Sequence, residues 1–163
     1  MTTIRDYRES DSITVGCLIA DTYGEFNLAF ATPEERDKLL GPFAFARSLE
    51  ATHQEAIAQA LRSAIGYVAE KNGNIVGVLR GRLGRIASLF VGGDFHRRGI
   101  GRRLVGRFED KCLRQGGSVV KVASTLYAVP FYTKLGYKKT TGVRAGWSFE
   151  GTGLIYQPMK KVL

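Results

Sequence analysis

Apolar residues recur mainly at helical spacing in the N-terminal part of the chain. Thr2–Tyr7 is predicted to form a short strand, and a first helix is predicted to begin at Asp11 or Ser12. A second helix start is indicated by Thr32-Pro33-Glu34-Glu35, which places a capping residue, a proline and early acids in the favourable order. A third helix is predicted over Leu49–Ser63, where apolar residues mark one face.

Strand patterns dominate from Gly66 onward. Asn72-Gly73 separates two apolar runs, Tyr67–Glu70 and Ile75–Arg82, which predicts a β-hairpin. Further strands are predicted over Arg85–Val91, Val119–Ala123, Val143–Phe149 and Leu154–Met159. Two helices interrupt them: one carries Ile100, Leu104, Phe108 and Cys112 at four-residue spacing, and a short one lies around Ala128–Lys134. This order predicts a mixed α/β layer structure.

Length and composition place the chain among ordinary globular proteins. The chain has 163 residues, so we expect residues 1–163 to form one domain. No stretch approaches the roughly 20 apolar residues of a membrane span, and the first residues lack the apolar core of a signal peptide, so the prediction is a cytoplasmic protein with no membrane partner. Cys17 and Cys112 have no metal-ligand spacing to each other or to His53 and His96, so no metal site is predicted.

The net charge of +9 is unevenly distributed. Residues 1–70 hold 11 acidic and 6 basic residues, a balance of −5, whereas residues 71–163 hold 4 acidic and 18 basic residues, a balance of +14. Such asymmetry predicts a polyanionic partner, and a nucleotide cofactor, a nucleic acid and an anionic membrane surface all meet that description.

The segment Ser88–Leu104 contains a candidate phosphate site. An apolar strand leads through a glycine-rich turn into a helix whose first turn is rich in arginine, with Arg97, Arg98, Arg102 and Arg103. Cations at a helix N-terminus are unfavourable by about 0.3 to 1 kcal/mol each. The cluster makes physical sense if an anion lies between the arginines and the free backbone N–H groups.

Two common nucleotide-binding motifs do not fit this segment. A dinucleotide fingerprint starting at Gly99 requires a small residue where Leu104 stands, and an acid about 20 residues later to bind the ribose. No acid occurs between Lys111 and Phe149. A Walker A loop requires Gly-Lys-Ser/Thr, whereas the nearest spacing ends in Gly106-Arg107-Phe108.

Two motifs together resemble those of the GNAT superfamily of N-acetyltransferases. His-Arg-Arg-Gly-Ile-Gly, from His96 to Gly101, resembles the acyl-CoA signature Gln/Arg-x-x-Gly-x-Gly/Ala that follows a strand in that family. Downstream, Ala128–Tyr137 resembles the family segment Ala-x-x-Phe-Tyr-x-x-x-Gly-Phe/Tyr. The order of the predicted elements also agrees with the family over nearly the whole chain.

This resemblance implies a fold and an activity. It implies a mixed, mostly antiparallel central sheet of about six to seven strands with helices on both faces. It also implies an enzyme that transfers an acetyl group from acetyl-CoA to a primary amine by direct attack, without an acyl-enzyme and without a metal. The implied catalytic residue is Tyr132, which would protonate the departing thiolate. The implied cofactor-binding residues are Leu89, Phe90, Val91, His96, Arg97, Arg98, Gly99, Ile100, Gly101 and Arg102.

The chemistry of these positions gives further expectations. Glycine at 99 and 101 would let the backbone approach the pyrophosphate closely, and Leu89 or Phe90 would direct a backbone N–H at the developing oxyanion. Proton transfer from a phenol of pKa about 10 to a thiolate of pKa about 8.5 is uphill by about 2 kcal/mol. Nearby cations and the helix are expected to lower the pKa of the Tyr132 phenol and reduce this cost.

Several points stay open at the level of the sequence. His96 replaces the usual Gln or Arg of the family, and Thr125 stands where many members have Asn. Glu25 is a weak candidate for the general base, and the aromatic residues Tyr23–Phe30, Phe43, Phe45 and Trp147 are candidates for an acceptor pocket. Alternative functions are a non-catalytic acyl-CoA sensor and an acetyltransferase acting on an RNA-linked amine such as aminoacyl-tRNA. A nucleic-acid partner is disfavoured because the arginines concentrate at the turn, and a homodimer stays open.

Overall fold

The computed structural model describes all residues, 1–163, and contains five α-helices and eight β-strands. The helices are α1 (Ser12–Phe26), α2 (Pro33–Leu40), α3 (Ala51–Leu61), α4 (Ile100–Arg114) and α5 (Val129–Lys134). The strands are β1 (Thr2–Asp6), β2 (Ile65–Lys71), β3 (Asn74–Arg82), β4 (Arg85–Val91), β5 (Val119–Thr125), β6 (Lys138–Lys139), β7 (Arg144–Ser148) and β8 (Gly151–Val162). None of the helices is long and apolar enough to cross a membrane.

All eight strands belong to one sheet in the order β1-β2-β3-β4-β5-β8-β6, and β7 pairs with β8 outside this order. Every pairing is antiparallel except that of β4 with β5. The expected mixed, mostly antiparallel fold is therefore confirmed, with eight strands where about six to seven were expected. The two-residue strand β6 has no periodicity of its own, and its place is visible only through its pairing with β8.

Helices cover both faces of the sheet, and each face has its own core. On one face, α4 contributes Ile100, Leu104, Phe108 and Cys112, all buried as their four-residue spacing predicts. On the other face, residues of α1, α2 and α3 pack against Val68 of β2 and Val78 of β3. Val68 and Val78 are cross-strand partners, so they lie on the same face of the sheet.

Local sequence signals explain most of the element boundaries. Thr32 and Glu35 form a reciprocal capping box at the start of α2, as predicted. Asn72 and Gly73 both have positive φ, which is the conformation that the β2–β3 hairpin requires. Helix α1 starts at Ser12 with Asp11 at the N-cap position, as predicted, but the Asp11 side chain caps no N–H of α1 and instead binds Arg5 of β1 through two hydrogen bonds of 2.9 Å.

Strands β4 and β5 separate soon after they meet. They are paired only at Arg85 with Lys121 and at Ile86 with Val122. The register of β4 against β3 shifts next to this point, so Ala87 is an extra residue in β4. From Ala87 to Val91, the edge of β4 that faces β5 therefore has no partner strand, and an open wedge forms between the two strands.

Candidate active site

The wedge between β4 and β5 belongs to a cavity of about 1690 Å³ that extends through the sheet. The turn before α4 and the start of α5 border it on one side, and α1 and the β7–β8 hairpin border it on the other. Predicted residues that line the cavity are Leu89, Phe90, Val91, His96, Arg97, Gly99, Ile100, Gly101, Arg102 and Tyr132. The structure thus brings the two sequence motifs together around one cavity.

The turn before α4 presents backbone N–H groups to this cavity. Arg97 and Gly99 both adopt left-handed conformations, with φ of 60° and 79°, and α4 begins at Ile100. Left-handed and helical residues in succession form a concave set of N–H groups that binds anions. A left-handed conformation costs about 1 to 2 kcal/mol at a non-glycine residue, so the surrounding fold holds Arg97 in a strained state of the kind found at binding sites.

The two glycines of the motif are required for different reasons. A Cβ at Gly99 would meet nothing within 4 Å, so glycine is needed there for its positive φ. A Cβ at Gly101 would lie 3.1 Å from two ring atoms of Phe131 in α5. At Gly101 the packing of α5 against α4 therefore gives a second reason for glycine, beside the expected close approach of the ligand.

The four arginines of the cluster point in different directions. Arg97 and Arg102 line the cavity, whereas the Arg98 guanidinium lies 5.6 Å from the centre of the Phe95 ring. Arg103 donates a 2.7 Å hydrogen bond to the carbonyl oxygen of Thr2, away from the turn. None of the four pairs with a carboxylate. Of these four arginines, Arg97 and Arg102 are therefore the ones available to an anion in the cavity.

The free edge of β4 belongs to Leu89 and Val91. The N–H of Gly92 donates to the Val76 carbonyl of β3, at 2.9 Å. Because backbone direction alternates along a strand, Phe90 also faces β3, and Leu89 and Val91 face the wedge. Of the two residues expected to direct a backbone N–H at the oxyanion, only Leu89 therefore faces the wedge.

His96 has a structural partner at this edge. Its Nε2 lies 2.6 Å from the Val91 carbonyl oxygen, and its ring packs against Phe26 of α1 with the centroids 4.7 Å apart. Tyr127, from the turn after β5, packs on the same Phe26 ring at 5.3 Å. This aromatic cluster connects α1 with both sides of the wedge, and it leaves the Val91 N–H free while occupying the Val91 carbonyl.

Tyr132 lies in α5, buried beside Phe131 and Tyr137 but within the lining of the cavity. Burial raises the pKa of Tyr132, and no neighbouring charge or hydrogen bond opposes this effect. The expectation that nearby cations make the phenol more acidic is therefore wrong for the unliganded chain. The phenol stays protonated at all physiological pH values, which is the form that a proton donor requires.

Carboxylates are scarce around the cavity. Glu25 is exposed near Gly93 and does not line the cavity, so the structure does not bring it to the other candidate residues. Glu109 is the only acidic residue of the lining, and it accepts hydrogen bonds from Lys161 at 3.0 Å and from Tyr137 at 2.9 Å. The cavity thus offers no unengaged carboxylate that could act as a general base.

The side opposite α4 is rich in aromatic residues. Of the residues expected there, Tyr23, Phe26, Phe43 and Trp147 line the cavity, whereas Phe30 and Phe45 do not. Among the lining residues to which the sequence analysis gave no role are Arg80 of β3 and Ser88 of β4. The only sequence signal for Arg80 is that an arginine directly follows the apolar run Ile75–Leu79 within the same predicted strand. Strand periodicity alone does not mark such a residue as functional.

The family model of the acetyltransferase (GNAT) domain matches residues 31–163, and the chain therefore belongs to the GNAT acetyltransferase family. No curated protein matches the sequence.

Solved structures of the same fold span nearly the whole chain. A GCN5-related N-acetyltransferase from Rhodopseudomonas palustris has a TM-score of 0.80 at 20% identity, covering 100% of this chain and 96% of that chain. The PaiA N-acetyltransferase of Thermoplasma acidophilum, solved in complex with coenzyme A, has a TM-score of 0.74 at 15% identity, covering 100% and 99%. An aminoglycoside 6′-acetyltransferase type Ii has a TM-score of 0.63 at 19% identity, covering 98% and 96%. At identities this low, the likeness shows the fold alone.

Proposed function

We propose that this chain transfers the acetyl group of acetyl-CoA to a primary amine by direct attack. The observation that carries the proposal is the wedge between β4 and β5, which joins a strained anion-binding turn, a free strand edge and the Tyr132 phenol in one cavity. The coenzyme A complex of the PaiA neighbour, a protein of the same fold, supports the choice of donor.

Each part of the cavity fits one part of coenzyme A. The backbone N–H groups around Gly99 bind the pyrophosphate, with Arg97 and Arg102 as charged support, and each charge-assisted hydrogen bond contributes about 1.5 to 3 kcal/mol. The N–H groups of Leu89 and Val91 bind the amide arm as an added strand would. When bound, acetyl-CoA supplies the activated acyl carbon.

The remaining groups handle charge and protons. The Leu89 N–H stabilises the negative charge that develops on the carbonyl oxygen as the amine nitrogen bonds to the carbonyl carbon. Tyr132 donates its phenolic proton to sulfur as the carbon–sulfur bond breaks. Because the lining offers no unengaged carboxylate, the proton released by the amine leaves to water in the open cavity. The products are an N-acetyl amine and the free thiol of CoA, and the phenol regains its proton from water.

Release of the CoA thiol tests this proposal. The chain is incubated with acetyl-CoA and a panel of amines that includes amino acids, polyamines, aminoglycosides and an aminoacyl-tRNA, and mass spectrometry identifies the product. We expect amine-dependent thiol release together with an acetylated amine. Binding of acetyl-CoA without release by any amine would favour an acyl-CoA sensor, and binding of NADPH instead of acetyl-CoA would overturn the proposed donor.

A further inference from the structure

A row of polar side chains crosses the sheet on the face covered by α1 and α3. Tyr7 follows β1 and donates its N–H to the Gly66 carbonyl at 2.9 Å, Gly66 pairs with Arg80, and Arg80 pairs with Ser88. Four buried side-chain nitrogen or oxygen atoms of the chain have no hydrogen-bond partner. Three of them belong to this row: the Tyr7 hydroxyl, Arg80 Nε and the Ser88 hydroxyl.

The Arg80 guanidinium is the unusual member of the row. Arg80 as a residue is only half-buried and lines the cavity, but its Nε is buried without a hydrogen-bond partner, and no carboxylate opposes the effect of burial, which lowers the pKa of the guanidinium. Arg5 provides the contrast, because it pairs with Asp11 at 2.9 Å and with Glu70 at 2.8 Å. A partly buried charge without a partner in the chain is costly, so a group of opposite charge that enters the cavity would be stabilised beside Arg80.

The position of Arg80 indicates where that partner lies. Arg80 and Ser88 both line the cavity, and Ser88 directly precedes Leu89, which faces the wedge. The row lies on the face of α1 and α3, opposite the face of α4 and its anion-binding turn. A group held by Arg80 and Ser88 would therefore lie beside the reacting carbonyl and far from the pyrophosphate.

We propose that Arg80 and Ser88 form a subsite for a carboxylate carried by one of the two reactants, so that the acceptor is an amino acid or the acyl group is dicarboxylic. The planar guanidinium and the adjacent hydroxyl suit the two oxygens of a carboxylate. This inference rests on the proposed acetyl transfer for its reactants. The absence of hydrogen-bond partners for Arg80 Nε and the Ser88 hydroxyl, from which the subsite is inferred, does not depend on that function.

The first test uses the unliganded chain and needs no activity. Arg80→Met removes an unpaired, partly buried charge and keeps an apolar stem, so we expect the Tm to rise by about 2 to 4 °C. Arg5→Met removes a paired charge and is expected to lower the Tm by a similar amount. A fall in Tm for Arg80→Met equal to that for Arg5→Met would show that Arg80 has a structural partner and would overturn the subsite.

The second test compares probes that differ in one carboxylate. In the acceptor arm, L-phenylalanine and L-leucine are compared with phenethylamine and isoamylamine, by thermal shift of the CoA-saturated chain and by kcat/KM for thiol release. In the acyl arm, calorimetry compares succinyl-CoA with acetyl-CoA. In one of the two arms, we expect the carboxylate to improve binding or kcat/KM by about 10- to 100-fold.

Three variants then assign the effect to Arg80. Arg80→Gln is expected to abolish the preference while leaving the Kd of CoA unchanged, and Arg80→Lys, which keeps the charge, is expected to retain part of it. Arg82→Gln, an exposed arginine on the same strand and outside the cavity, is expected to leave the preference intact. A carboxylate preference absent from both arms, or unchanged in Arg80→Gln, would overturn the proposal. Absence of thiol release alone would count against the acetyl transfer and leave the binding arms to decide the subsite.

Discussion

At the α4 end of the cavity the groups suited to an anion are backbone N–H groups, whereas on the α1–α3 face they are the side chains of Arg80 and Ser88. The shape of the turn before α4 depends on its backbone dihedral angles, because Arg97 and Gly99 are both left-handed. The row through Arg80 depends instead on buried polar side-chain atoms that have no hydrogen-bond partner in the chain. A short sequence motif can therefore specify a backbone site such as the turn before α4. A side-chain site such as Arg80 with Ser88 forms only when strands that are distant in the chain pair.

The largest expected effect concerns the proton donor. Tyr132→Phe is expected to lower thiol release by about 10²-fold or more and to leave the Kd of acetyl-CoA nearly unchanged, because the hydroxyl acts on the departing sulfur. Steady-state thiol release and calorimetry measure the two quantities.

A neighbouring tyrosine supplies the control for this prediction. Tyr137 is buried, its ring centroid lies 5.4 Å from that of Tyr132, and its hydroxyl binds Glu109. Tyr137→Phe is expected to lose about 1 kcal/mol of unfolding free energy and to keep its turnover. Equal turnover of Tyr132→Phe and the wild type would remove Tyr132 from the mechanism.

Gly101→Ala tests whether packing or ligand approach requires the second glycine of the motif. The new Cβ would press on the Phe131 ring at 3.1 Å, so we expect a loss of about 1 to 3 kcal/mol of unfolding free energy in urea denaturation. Adding Phe131→Leu is expected to restore much of that stability, as coupled neighbours do. A stable Gly101→Ala variant that has lost acetyl-CoA binding would instead favour the original expectation of close ligand approach.

Gly99→Ala tests the backbone of the anion-binding turn. Gly116, at the other end of α4, also has a positive φ, 82°, and open space at its Cβ position, so it is a matched control. Each substitution is expected to cost about 1 to 2 kcal/mol of stability, because alanine is strained in a left-handed conformation. Only Gly99→Ala is expected to weaken acetyl-CoA binding, by about tenfold. Similar Kd values for the two variants would contradict the role of the turn.

The smallest expected effect concerns the paired arginine that contrasts with Arg80. Hydrogen bonds from Arg5 hold the pKa of Asp11 below its ordinary value. The stabilisation is therefore complete above the unfolded carboxyl pKa of about 4 and is lost as the pH falls below it. Arg5→Met is expected to lower the Tm by about 2 to 4 °C at pH 7, and this gap should close under acid conditions. A gap that is constant from neutral to acid pH would contradict the pairing.

Local sequence predicts most of the helices and strands and the turn before α4, but it does not predict the pairing of Arg80 with Ser88. The capping box at Thr32 and Glu35, the hairpin at Asn72-Gly73 and the spacing of Ile100 to Cys112 act within a few residues, so the pattern predicts them directly. The resemblance adds the motifs around Gly99 and Tyr132.

What the sequence could not predict depends on residues far apart in the chain. Asp11 meets Arg5 instead of capping α1, and Phe131 fills the space beside Gly101. Arg80 shares a row with Ser88 and Tyr7 only through the registers of β2, β3 and β4. Periodicity identifies Arg80 as a polar residue in a strand, but it cannot predict that the Arg80 guanidinium lacks a hydrogen-bond partner.

Backbone amide NMR during titration with acetyl-CoA tests the role of the wedge most directly. The prediction is that the amides of Leu89, Val91, Gly99 and Gly101 shift and saturate together, while those of Gly73 and Gly116, which lie outside the cavity, stay in place. Shifts that leave the β4 edge and the turn before α4 unaffected, or no shifts at saturating acetyl-CoA, would contradict the placement of the donor between β4 and β5.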